Sequence, residues 1–103
     1  MSVVAAFAVP HPPLILPEVG RGEEKTIQKT IDGLDRIGRE IAELKPETVV
    51  LSSPHALLYA DYFHIPESTE YRDNMRRFGA GGLSIAARCD GEFVGALCGI
   101  AAE

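Results

Sequence analysis

The chain opens on an unbroken apolar run, Val3 to Val9 (VVAAFAV). Such a run predicts a strand covered on both faces, as in a parallel sheet. Pro10-His11-Pro12-Pro13 stops it, because proline removes ladder donors and restricts the residue before it. Leu14 to Pro17 reads as an extended loop leading to Gly20 and Gly22. From Glu23 to about Leu44 the period changes: Ile27, Ile31, Leu34, Ile37, Ile41 and Leu44 recur in steps of three and four, one face of an amphipathic helix. Pro46 ends it. Thr48 to Ser53 (TVVLSS) is a second β-branched run, followed at once by Pro54-His55. Strand, helix and strand in this order predict a βαβ unit with parallel strands and a right-handed crossover.

Downstream the pattern weakens. Ala56 to Ile65 (ALLYADYFHI) fits strand or loop, and Pro66 to Gly82 reads as loop, with glycines at 79, 81 and 82. Leu83 to Cys89 (LSIAARC) predicts a third strand. Asp90-Gly91 fits a hairpin turn or an N-cap; Glu92 and the alanine-rich end favour a helix with Phe93, Leu97 and Ile100 on one face. The fold class expected is α/β: an open, mainly parallel sheet built on the βαβ unit, with flanking helices.

Composition narrows the function classes. In 103 residues there are 15 acidic and 10 basic side chains, a net charge of −5. That balance argues against nucleic-acid binding and against an anionic membrane surface. No apolar run has membrane-spanning length, and the first residues lack the basic n-region of a signal peptide, so a cytoplasmic location is expected. Fourteen of the charges fall between Glu18 and Glu47, eight acidic and six basic, interleaved as on a solvated helix face. Cys89 and Cys98 form neither a disulfide framework nor a CxxC motif and read as two buried reduced thiols.

The candidate chemistry lies in the histidines. His11 follows the first predicted strand and His55 the second, each directly after a proline. If these strands are parallel neighbours, both imidazoles emerge at the carboxyl edge of one sheet, where open α/β folds bind ligands. A loop histidine taken singly is an ordinary polar residue; two at matched strand ends point to metal. A non-haem Fe(II) site of the two-His-one-carboxylate type would need one acid more. Glu18 and Asp61 are near in sequence, and nothing in their spacing selects either. His64, in Tyr62-Phe63-His64, fits a pocket base or a satisfied core histidine. Arg72, Arg76 and Arg77 could meet an anionic substrate or simply be solvated. The glycines at 79, 81 and 82 lack the Lys-Ser/Thr of a phosphate loop.

AFAVPHPPLILPEVG, the helix, TVVLSSPHALLYADYFHI and RRFGAGGLSIAARCDGEFVGALC together resemble the LigB-like class III extradiol ring-cleavage dioxygenases, and within them the AmmeMemoRadiSam-system branch. The resemblance implies a mononuclear Fe(II) site, or another divalent metal in a divergent member, with His11 and His55 as two ligands; a hydrolase or redox-system accessory protein using zinc at the same two histidines is a further reading. The resemblance also implies a catechol-type aromatic substrate and O2 brought to one metal. The family's third ligand, commonly a glutamate, and its acid/base histidine match no residue here. IPESTE after His64 also departs from the ISPG-like turn of the family. Residues 1–103 are therefore expected to form the N-terminal portion of a larger dioxygenase domain. An incomplete sheet exposes an edge, so homo-oligomerisation or association with a complementing chain is expected. A non-catalytic interaction module is the competing reading.

Overall fold

The computed structural model describes residues 2–55, 59–60, 64–66 and 68–102. The chain divides into two compact units, residues 1–47 with 73–85, and residues 48–72 with 86–103.

In the first unit, residues 2–12 form neither helix nor ladder. The stretch expected to be loop coils instead into two short turns, a 3₁₀ turn Pro13–Ile15 and α1 (Pro17–Gly20). Proline explains both, since its fixed φ suits the first helical position and its missing N–H is not needed there. Arg21 ends α1 in the left-handed region (φ 50°), its N–H donating to Pro17 O at 2.9 Å. Gly20 is buried under this turn. A Cβ on it would stand 2.7 Å from the Leu14 carbonyl oxygen and 2.6 Å from Glu24 Oε2. That carboxylate accepts from the Gly22 amide at 2.6 Å and so tethers the turn to the following helix.

The long helix forms as its periodicity predicts, as a 3₁₀ stretch Glu23–Ile27 continuing into α2 (Gln28–Leu44). Ile27, Ile31, Leu34, Ile37 and Ile41 are half-buried, and the charged positions between them are mostly exposed. On the solvent side Gln28 donates to Asp32 at 2.9 Å and Arg36 pairs with Glu40 at 3.3 Å. Such i, i+4 pairs add a few tenths of a kcal/mol each, about 0.2–0.5. Lys45 closes the helix with φ 49°, donating to Ile41 O at 3.1 Å, and Pro46 prevents continuation.

In the second unit, residues 48–53 form neither helix nor ladder. The Thr48 hydroxyl donates to Asp90 Oδ2. Asp90 is also the N-cap of α3 (Gly91–Ala101), accepting from Phe93 N at 2.9 Å. The helix reading of Asp90-Gly91 therefore holds over the hairpin reading.

One sheet is present among the described residues, a two-stranded hairpin of β1 (Glu70–Met75) and β2 (Ala80–Arg88). The four-residue link Arg76–Gly79 makes it antiparallel. Gly79 adopts φ 81°, a turn conformation that glycine reaches without a Cβ penalty. β2 matches the third predicted strand, beginning three residues earlier. β1 corrects the reading of 66–82 as loop. EYRDNM has no apolar alternation and is held by its partner strand, so periodicity could not reveal it.

The α/β class holds, with helices and a small sheet. The parallel sheet does not form among the described residues, because 3–9 and 48–53 have no strand beside them. Val3 (87% exposed) and Leu51 (86%) are correspondingly bare. Ala80 is the only buried hydrophobic side chain among the described residues. The thiols are a further correction: Cys89 is half-buried and Cys98 is exposed on α3. The stretch 56–65, open between strand and loop, falls mostly outside the described residues.

Candidate metal centre

His11 lies in the first unit, exposed at the end of the 2–12 stretch and flanked by Pro10 and Pro12. The coil that follows, from Pro13 to the Glu24 tether, gives the chain beyond it a defined path. His55 lies in the second unit, exposed in the turn after residues 48–53, with its backbone N–H donating to Ser53 Oγ at 3.2 Å. Each imidazole follows an apolar segment and a proline, but the parallel sheet edge at which the sequence placed the pair is not formed among the described residues. Imidazole nitrogen is a suitable donor for a non-haem metal, so each histidine fits such an ion in kind. Among the described residues no group of three or more His, Cys, Asp or Glu is gathered as a ligand set. Glu18 is exposed in the first turn of α1, in the unit of His11. Asp61 lies outside the described residues.

His64 is exposed, its ring 6.1 Å from that of Tyr59 and tilted by 43°. The arginines take plainer roles. Arg72 is paired with its neighbour Glu70 at 2.6 and 3.0 Å. Arg76 and Arg77 are exposed in the hairpin link, and the glycines at 79, 81 and 82 are accounted for by that hairpin. Arg21 reaches the Gly79 carbonyl at 3.5 Å.

Two polar clusters escaped the sequence reading. Asp90 was legible as a cap, but its bond to Thr48 joins residues 42 apart, which no local pattern signals. The two donors, Thr48 first and the Phe93 amide second, hold the Asp90 carboxyl below the usual aspartate range. Tyr71 meets Cys89 Sγ at 3.0 Å. That hydrogen bond, then partial burial, then charge interaction with the thiol push the phenol above its ordinary value.

With this geometry in place, comparison with known proteins defines the class. The chain belongs to the family described as the catalytic LigB subunit of aromatic ring-opening dioxygenase, whose model matches residues 5–96. At the family level this is ring-cleavage dioxygenase chemistry, an oxidoreduction that generally uses a non-haem metal. Among individual proteins, the chain is similar to Protein CA_C1420 of Clostridium acetobutylicum, 34% identical over 92 residues. The match covers 89% of this chain and 20% of the relative, so the chain spans about a fifth of that relative's length. No solved structure matches. No helix among the described residues is long and apolar enough to cross a membrane.

Proposed function

We propose that residues 1–103 are the metal-binding N-terminal portion of an extradiol ring-cleavage dioxygenase domain, with His11 and His55 as two ligands of Fe(II). The observation that carries this reading is the repeated Pro-His at the ends of two apolar segments, both within the matched residues 5–96. When bound, the metal would bring a catechol-type aromatic and O2 to one centre. The proline before each histidine limits the backbone and so lowers the ordering cost of presenting an imidazole. His64, beside Tyr59, is the candidate base for a substrate hydroxyl. The carboxylate ligand and the principal acid/base group come from outside residues 1–103, from the remainder of the same protein, a second subunit or another gene product, and the protein works in the cytoplasm.

Anaerobic Fe(II) titration tests this reading. Binding should be lost in His11→Ala and in His55→Ala. Equal binding by the double variant would exclude the pair. Metal analysis of protein purified without added metal separates iron from zinc.

A second reading, a non-catalytic association module, is favoured by the bareness of Val3, Val4, Val49, Val50 and Leu51. Exposed apolar segments of strand composition are able to pair with another chain. Light scattering after size exclusion would then give an oligomer whose size ignores metal. A monomer that changes size only when metal is added would remove that reading.

A further inference from the structure

Arg72 is paired with Glu70 and Arg36 with Glu40, whereas Arg21, Arg76 and Arg77 form no ion pair among the described residues. All three are exposed and belong to the first unit. Two of them meet one glycine-rich segment from different parts of the chain. The Arg21 guanidinium reaches the Gly79 carbonyl oxygen at 3.5 Å, across 58 positions of sequence. The Arg76 stem lies over Gly81, its Cβ and Cγ 3.6 and 3.7 Å from where a Cβ on that glycine would stand. Arg77 follows in the same hairpin link, Arg76–Phe78. Arg21 holds its place with φ 50°, a conformation that a Cβ disfavours and glycine adopts freely. Strain kept at one side chain points to what that side chain does. Gly79, Ala80, Gly82 and Leu83, with Glu18, line a hollow of about 260 Å³. Nothing stands within 4 Å of a Cβ placed on Gly82, so a ligand has close access to the backbone there.

Guanidiniums gathered without an acid repel one another, and an anion relieves that repulsion. Their planar forks match the oxygens of phosphate two at a time, and a dianion engages more than one of them. We propose that Arg21, Arg76 and Arg77 bind a phosphate group at the hairpin link, either free phosphate or the phosphate of a small monoester whose remainder enters the hollow. Glu18, on the wall of that hollow, opposes the anion and so supplies a test of sign.

The test is calorimetric titration of the full chain with inorganic phosphate, a chelator being present so that metal-held phosphate does not count. The parent should bind saturably, and acetate at equal ionic strength should not compete. Arg21→Gly removes the guanidinium and suits the left-handed backbone. Its affinity should fall about tenfold, the worth of one charged hydrogen-bonded contact, while its melting midpoint stays at or above the parent's. The double variant Arg76→Ala with Arg77→Ala should lose at least as much, and it decides the matter if Arg21→Gly does not fold. Arg39→Ala, on α2, should bind as the parent does. Glu18→Gln should bind about twofold to fivefold more tightly. Tighter binding of glycerol phosphate than of inorganic phosphate assigns the site to a monoester, and the reverse order assigns it to free phosphate. No saturable binding by the parent overturns the proposal. So do parent-like affinity in both arginine variants, equal competition by acetate, or a loss in Arg39→Ala as large as in Arg21→Gly. The chelator makes these outcomes independent of the Fe(II) titration.

Discussion

Gly20→Ala separates a glycine required by space from those that merely interrupt a helix. The new Cβ would lie 2.7 Å from the Leu14 carbonyl oxygen, which is backbone and can yield only by moving the coil after His11. It would also lie 2.6 Å from Glu24 Oε2, which can swing away only by leaving the Gly22 amide. Overpacking of this kind costs about 1–3 kcal/mol. Gly33 and Gly38 in α2 have nothing within 4 Å of an added Cβ. Alanine there should gain about 0.8–1.0 kcal/mol each through helix propensity. In thermal unfolding followed by circular dichroism, each kcal/mol moves the midpoint of a domain this size by about 4–8 °C. Gly20→Ala should therefore melt below the parent, and Gly33→Ala and Gly38→Ala above it. A Gly20→Ala midpoint at or above the parent would refute the account of the coil. A fall in Gly38→Ala would show that a partner covers that side of α2.

Two further outcomes are expected. Asp90 has a folded-state carboxyl value lowered by Thr48 and Phe93, so the stability it contributes is fully present above the unfolded carboxyl range and is lost as pH falls through the folded value. Asp90→Asn keeps a capping oxygen, and its unfolding midpoint should depend less on pH in that acidic window; an unchanged slope would count against the assignment. Lys45→Gly relieves a left-handed residue at the end of α2 and should raise the melting midpoint by the equivalent of about 1 kcal/mol, and a lowered midpoint would show that the Lys45 side chain is needed there.

Local signals carried much of the fold. The three- and four-residue spacing from Ile27 to Leu44 found α2, and Asp90 with Glu92 found the start of α3. The parallel sheet was legible only as potential: VVAAFAV and TVVLSS have strand composition, but a ladder needs a neighbour that the described residues do not provide. The opposite holds for EYRDNM, a strand made by its partner across Gly79 and not by its own pattern. Pro13 and Pro17 looked like breakers and instead begin turns, because position in the first turn reverses the effect of proline. At the site, the reading of His11 and His55 rests on the sequence pattern, a proline before each after an apolar run, and the fold adds no third ligand among the described residues. The contacts from Thr48 to Asp90 and from Tyr71 to Cys89 were not legible, since they join positions 42 and 18 residues apart.

The central claim, that His11 and His55 hold one metal, is tested most directly by iron X-ray absorption on the anaerobic Fe(II)-loaded chain. The account predicts two imidazoles in the first coordination shell of the parent and no protein-held iron, hence no imidazole shell, in either His11→Ala or His55→Ala. The same shell in parent and variants would contradict it.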